Sequence, residues 1–570
     1  MFPRSFSHLT KHAPTVFVSA CCVLLDGAIL RATFRARTDL PLVSPWDVLP
    51  WWIFLLFGLA TLLQIVAVRF LPRWLQLVCV GLHAFTAWGT ALIIYQLGFG
   101  FDPFLHQAAE QHLAAHHSIS LATPLYLGQY LIVWGLHALS RVSVIRIDQL
   151  LVPVASVLLI PLLQRTQRFL PIALFLLPIS WFSFTIPFHT AFLCFVTALC
   201  LSKTLDRPWK RWALIALGLL SLSIHPLMGI PCCLFVASAL VRGTKWHRLS
   251  SLILSAGVPL ALLAGFSAYA TLQGAALALP TVRQIGTSFV ALFGTAYRFS
   301  AETPGLSLLY GFLSLWPFAL CLIGLYANLK TQTIWHIERR MTAIGIFVSA
   351  ILLACFVRLP GIIAHEQFEF PLRLLQLVPF FFLPDIAELT ESHLSIPTTK
   401  RQQLTQIAIA ISISLIVVTQ WFASYPQNNA IVPAYAPSVS RFEYSALDWI
   451  ERQHSQQPFI VLSHQLLAGA ALQTRGFEQT ITTCHGTHLR YAIPTGDALY
   501  QDFLNLFRAR DIEPLLTRLR ACYGEVDLFI SFPLSWDPGN AVMRRLEPFI
   551  ETQQTENPHL RVLKLQTPSP

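Results

Sequence analysis

Asp102, His106 and Glu110 stand four residues apart in the segment G-F-G-F-D-P-F-L-H-Q-A-A-E-Q-H-L-A-A-H-H, residues 98–117. Asp102 precedes Pro103, a pairing that favours a helix start, and the polar pattern predicts a helix running to about His116. On a helix each step of four residues turns only about 40°, so the three side chains share one face. Such a face can supply a general base, a second carboxylate to position it and an imidazole to hydrogen-bond or ligate a metal. His112, His116 and His117 sit further round. They offer imidazoles to a divalent metal, but the sequence shows no second shell and no cofactor is assigned. The plainer alternative makes Asp102 a helix cap worth about 1 kcal/mol on an amphipathic interfacial helix.

The rest of the chain has to hold that segment at a membrane. In 570 residues, 55% are apolar and 12% charged, too few polar side chains to clothe a soluble globule. The formal charge of +11 is concentrated in short basic clusters flanking apolar runs, among them Arg31/Arg35/Arg37, Lys203/Arg207/Lys210/Arg211 and Arg242/Lys245/Arg248. That placement reads as loop bias and contact with membrane lipid, and excludes a nucleic-acid face. Runs of roughly 20 apolar residues, enough to cross about 30 Å of hydrocarbon, recur about a dozen times between residues 15 and 421. The first, 15–30, contains Asp26 and reads as a retained span rather than a signal peptide; the clearer ones are 49–68, 75–97, 147–163, 169–187, 188–201, 250–272, 305–326, 341–357, 372–386 and 404–421. The run 212–241 is broken at His225-Pro226, and 124–139 is short, so both are expected to carry helix ends at membrane depth. With the N-terminus inside, residues 98–127 form the first large external loop; the basic residues beyond Arg141 give no consistent count for the middle spans.

The expected fold class is a polytopic α-helical membrane protein, residues 1–424, followed by a soluble α/β domain, residues 425–570. Expected elements of that domain are helices at 443–453, 465–473, 498–508, 512–522 and 540–553, with strands at 458–462, 526–531 and 560–565. It holds no Gly-rich phosphate loop and no nucleophile elbow, which points to a recognition or stabilising module. Of the eleven cysteines, only Cys484 and Cys522 lie in a segment polar enough to pair in water, and spacing alone leaves their pairing open.

Read together, four segments resemble the GT-C superfamily of integral-membrane glycosyltransferases. They are Phe-Asp-Pro-Phe-x-His around Asp102, Pro-Leu-Tyr-Leu-Gly-Gln-Tyr at 124–130, Ser-Ile-His-Pro-Leu-Met-Gly around His225, and Glu-Phe-Pro-Leu-Arg-Leu-Leu-Gln at 369–376. The resemblance covers about residues 75–420. It implies transfer of a sugar from a polyprenyl-phosphate carrier to an acceptor on the extracytoplasmic face of a cell or inner membrane. By position, the family's external-loop acid maps onto Asp102. Its late arginine maps onto Arg373, which would hold the donor phosphate; a snorkelling arginine paired with Glu369 is the plainer alternative. His225, Arg298 and Glu369 are the candidates for substrate binding. Arg298 lies with Arg283, Tyr297 and Glu302 in an amphipathic stretch, 280–304, that would close over substrate or simply lie at the interface. His225 has a plainer alternative as a packed residue at a kink. Members usually have one span before the catalytic loop where this chain shows three, and there is no match to the Trp-Trp-Asp motif, so protein N-glycosylation is not implied. The alternative of another class is a carrier or flippase for a lipid-linked or polar substrate. Neither reading names the sugar or the acceptor. Two acidic residues inside apolar runs also need partners: Asp148 is expected to cap or to pair with Arg146, and Asp26 has no evident partner.

Overall fold

Prolines mark where many of these helices begin. Pro103, Pro187, Pro208 and Pro226 each stand in the first turn of their helix, where a missing N–H leaves no bond unmade. The fold is taken from a computed structural model that describes residues 6–119, 124–272, 280–293, 301–331, 336–358, 368–394, 399–427, 429, 431, 437–454, 457–493, 497–535 and 537–566. Among the described residues, seven helices are long and apolar enough to cross a membrane: Thr15–Arg35, Val144–Thr166, His247–Ala268, Pro304–Lys330, Ile337–Phe356, Glu369–His393 and Lys400–Ala423. Three shorter apolar helices, Trp52–Val68, Pro187–Ser202 and Pro226–Leu240, accompany them. The chain is thus a polytopic helical protein with a small strand-containing domain at its C-terminal end.

Three apolar runs fold differently from a simple span. Residues 75–97 break at Gly89 into Arg73–Trp88 and Thr90–Ile94. Residues 169–187 form only a short helix, Leu170–Ala173, and 3-10 turns at Leu174–Leu176 and Ile179–Phe182. Pro171, Pro178 and Pro187 prevent a continuous ladder there. Such irregular backbone is tolerated because Phe169–Leu177, Ile179, Trp181 and Phe182 are buried in protein rather than exposed to lipid. The third is 212–241, where the expected break at His225-Pro226 turns the run back on itself as a helical hairpin. Pro208–Ile224 and Pro226–Leu240 fold back on each other through His225, whose backbone is extended (φ −153°, ψ 110°). Gly218 faces Cys233, and a Cβ on Gly229 would strike the backbone of Leu222, so small residues set this close antiparallel approach.

The hairpin puts the basic clusters at 203–211 and 242–248 at one end of the bundle, while Arg31/Arg35/Arg37 lies at the other. Gln164 donates to the Arg73 carbonyl at 3.4 Å, Arg168 to the Leu71 carbonyl at 3.0 Å, and Lys203 to the Thr166 carbonyl at 2.5 Å. Arg242 binds the Ser202 carbonyl and Glu338, which also pairs with His247 at 2.8 Å. Arg339 pairs with Asp385 at 2.9 Å, next to those groups in sequence. His225, at the hairpin tip, stands at the opposite end. Asp26 finds its partner within the bundle: His83 Nδ1 lies 2.9 Å from it, and His83 Nε2 lies 3.0 Å from Thr61. The imidazole pairs one oxygen of a carboxylate that lipid could not.

The C-terminal domain is a four-stranded mixed sheet in the order β1 (Phe459–Ser463), β4 (Asp527–Pro533), β6 (Leu560–Leu565) and β5 (Ile550–Gln554). The pair β1–β4 is parallel; β4–β6 and β5–β6 are antiparallel. A separate hairpin joins β2 (Thr480–Thr483) to β3 (Gly486–Leu489). The expected helix 540–553 ends at Leu546, because Pro548 and the β-branched Ile550 and Thr552 lead into β5. Cys484 and Cys522 form a disulfide that ties the β2–β3 turn to the helix Glu513–Tyr523. Both are therefore closed to thiol reagents until reduced.

This domain grips the loops around residues 39–42 and 98–104. Ser438 N donates to Leu42 O at 2.9 Å, Arg441 N to Asp39 O at 3.0 Å, and Gly100 N to Ser438 Oγ at 3.0 Å. Phe104 of the loop helix, Asp102–His116, is fully buried in the same apolar core as Leu447, Phe459, Leu467 and Phe529. The small run Ala468-Gly469-Ala470-Ala471 lets the helix Gln465–Arg475 approach, since a Cβ on Gly469 would already touch Phe101 and Phe104.

Candidate active site

The loop helix starts where the Asp-Pro pair predicts, but not with Asp102 as its cap. Phe101 occupies the cap position, no side chain caps the first turn, and Asp102 is the first helical residue. The Asp102 carboxylate instead lies within electrostatic reach of Arg373 and Glu369, on a helix (Glu369–Leu377) from the far end of the chain. Burial pushes this carboxyl above the ordinary range, Arg373 pulls it back, and Glu369 pushes it up again. Arg373 Nη2 donates to Glu369 at 2.7 Å, and its guanidinium lies 5.5 Å over the Phe188 ring.

Histidines close the site from three sides. His106 is buried, with Nδ1 3.1 Å from the Tyr130 hydroxyl, and burial drives its imidazole down to about 3, so it is neutral near pH 7. Its ring meets Tyr126 at 5.2 Å, and Tyr126 stacks on His225 at 5.5 Å. Phe188 meets His225 edge-on at 5.7 Å. Arg373, His106 and His189 all lie within electrostatic reach of His225. His189 is fixed by a bond from Nδ1 to the Phe184 carbonyl at 2.9 Å. Gly128 makes the crossing possible, since any Cβ there would strike Ser223 and Ile224 at the hairpin tip.

Of the residues expected from sequence, the structure thus brings Asp102, His106, His225, Glu369 and Arg373 together. Arg298, with Tyr297, lies outside the described residues. Its neighbours Val282–Phe293 form an amphipathic helix held by Arg358 on Ser288 at 2.6 Å. Glu110 is directed elsewhere. Its carboxylate accepts from Gln129 Nε2 at 3.0 Å, and the same amide stands 3.4 Å from Asp148. Asp148 also accepts from Gln107 at 2.8 Å, and Arg146 bonds Gln149 instead, at 3.2 Å. The expected Arg146–Asp148 pair does not form, because on its helix Asp148 faces the bundle interior while Arg146 remains exposed. Gln107 passes the network on to Gln473 of the C-terminal domain at 2.6 Å. Asp148 and His189 are the residues that sequence reasoning missed here. For Asp148 the signal was available, as a carboxylate inside an apolar run is costly unless it faces protein.

Beside the arginine helix lies a cavity of about 510 Å³, lined by Leu372, Leu375 and Gln376 on either side of Arg373, with Trp181, Trp316 and Tyr425 among its walls. Trp181 packs against Phe188, the ring beneath Arg373, at 5.6 Å. The cavity is mostly apolar in its lining side chains.

No family model matches the chain, and no curated protein matches it. Among solved structures it is similar to the crystal structure of ArnT from Cupriavidus metallidurans in the apo state, with 12% identity over 87% of this chain and 99% of that one and a TM-score of 0.42. At that level of likeness, the chemistry of the site rests on its own residues.

Proposed function

We propose that this chain is a membrane glycosyltransferase of the GT-C type, moving a sugar from a polyprenyl-phosphate donor to an extracytoplasmic acceptor with inversion at the anomeric carbon. The observation that carries the proposal is the meeting of Asp102 and Arg373, from segments far apart in sequence, among buried histidines beside an apolar cavity. Asp102 accepts the proton of the acceptor hydroxyl as that oxygen bonds to the anomeric carbon. The bond from that carbon to the phosphate oxygen breaks, and its electron pair leaves with the polyprenyl phosphate. Arg373 stabilises the charge gained by the leaving phosphate, while Glu369 holds the guanidinium in place. His106 and His225, with their aromatic partners, orient the sugar. Glu110 acts at one remove, fixing the loop helix through Gln129. The apolar cavity takes the first units of the lipid chain, and the bilayer edge supplies proximity between donor and aqueous acceptor.

Two observations support an extracytoplasmic site. The basic residues around 73, 165–168, 203 and 242–248 gather at the end of the bundle away from Asp102, outnumbering the Arg31/Arg35/Arg37 cluster at the Asp102 end, the bias expected of a cytoplasmic face. The Cys484–Cys522 disulfide belongs to the domain packed on the Asp102 loop, and such bonds persist in oxidising compartments. The reading is tested by incubating the purified protein with radiolabelled polyprenyl-phosphate sugars and a membrane-glycan acceptor. Donor consumption with release of polyprenyl phosphate is the expected result; uptake into vesicles without turnover would make the protein a carrier.

The pH profile carries a signed prediction. A base works ionised, so activity should fall as pH drops through the raised pKa of Asp102, giving kcat/KM an acid limb above the ordinary carboxylate range. Glu369→Gln removes a negative neighbour and should move that limb to lower pH. An acid limb left in place by this substitution would separate Asp102 from the ionisation that controls the rate.

A further inference from the structure

The loop helix has chemistry at both ends. Its first residue is Asp102; its last two turns carry His112 and His116, spaced i, i+4 so that both rings project from one face, with centroids 4.5 Å apart. Glu478 reaches the same place from the C-terminal domain, just beyond the helix Gln465–Arg475. Donor atoms of His112, His116 and Glu478 all lie within 4.8 Å of one another, and His116 Nε2 is 3.4 Å from a Glu478 carboxylate oxygen. In a tetrahedral zinc site, with metal–ligand distances near 2.0–2.2 Å, neighbouring ligand atoms stand about 3.4 Å apart. We propose that His112, His116 and Glu478 form a binding site for a divalent transition metal of the zinc class, joining the first external loop to the C-terminal domain.

Two features mark this place as built. His116 Nδ1 lies 3.2 Å from the His112 carbonyl, a bond that keeps the proton on Nδ1 and leaves the Nε2 lone pair for a metal. Glu478 is anchored by its neighbour Phe477, which packs with Ala109, Leu113 and Tyr130 and meets the His112 ring edge-on at 6.4 Å. An exposed His–Glu pair by itself contributes little and would not account for the second imidazole. Three protein ligands leave a fourth position for water. Imidazole nitrogens favour zinc and its neighbours in the transition series over magnesium or calcium, which prefer oxygen. Among the described residues the other group of ligand type, Cys484, His485 and Cys522, is closed to metal because its two sulfurs are joined.

The site lies about 20 Å along the helix from Asp102, at about 1.5 Å per residue. Its role is to fix the helix that carries Asp102, and its failure would leave the transfer reading intact. The test uses tag-free, chelator-treated full-length protein in detergent, titrated with zinc chloride by calorimetry and followed by thermal unfolding. One zinc per chain and a raised unfolding midpoint are expected, with no shift from magnesium. Glu478→Gln and His116→Ala should each weaken zinc binding by at least about tenfold. His117→Ala, whose ring faces Trp134 instead, should leave it unchanged. Cobalt in place of zinc should give the visible absorption of a four- or five-coordinate ion, lost in His116→Ala. Absence of saturable zinc binding, or binding equally tight in Glu478→Gln and His116→Ala, would overturn the proposal.

Discussion

Asp102→Asn should lower the turnover number by about 10²- to 10⁴-fold, the range for removing a positioned general base, while the protein inserts and unfolds as the parent does. Asparagine keeps the shape of the side chain and can still cap a helix as well as aspartate, so a capping residue would tolerate the change. Here the carboxylate caps nothing; Phe101 holds that position, and Asp102 faces Arg373 and Glu369. The substitution also removes a negative charge beside the place assigned to the donor phosphate. The donor KM should therefore stay level or fall while kcat collapses, a split that separates loss of the proton acceptor from general damage to the site. Full transfer activity in a normally inserted Asp102→Asn protein would refute the role of this residue.

Arg373→Gln should reduce kcat/KM for the donor by about 10²- to 10³-fold, the scale of losing one preorganised stabiliser of developing charge. Both constants should move, since the guanidinium meets the phosphate in the bound donor and again as it leaves. Arg373→Lys should recover part of the loss, a point charge without the planar fork. A further consequence follows at Asp102. Without the positive neighbour its pKa rises, so the acid limb of the pH profile should move up, opposite to the shift in Glu369→Gln. The plainer role, an arginine snorkelling to the interface and paired with Glu369, would give neither the shift nor the loss of donor binding. Steady-state kinetics with a polyprenyl-phosphate sugar across pH distinguishes the two.

How the chain was legible varies with the kind of signal. The loop helix was readable because Asp-Pro marks a start and polar residues repeat at helical spacing; it runs to His116 as expected. The apolar runs announced the membrane, yet hydropathy reports side chains and is silent about backbone state. Residues 169–187 therefore read as a span and fold as buried turns, and in 212–241 the break at His225-Pro226 was readable but the folding back into a hairpin was not. The small residues that permit the hairpin, Gly218 and Gly229, are clear only once Cys233 and Leu222 are seen against them. Asp148 was assigned to its sequence neighbour Arg146, whereas its partners Gln107 and Gln129 come from two other helices.

By itself the sequence determined composition-driven and local properties: that the chain lives in a membrane, that a polar helix with Asp102 interrupts it early, and that an α/β segment follows. Those properties depend on residue type and on spacing within a few turns. Only the tertiary structure decided which distant charges share a site. It set Arg373 and Glu369 against Asp102, turned Glu110 away toward Asp148, and carried Glu478 to His112 and His116. The physical reason is that Coulomb interaction and burial depend on distance in space, which the packing of helices fixes and the order of residues along the chain does not.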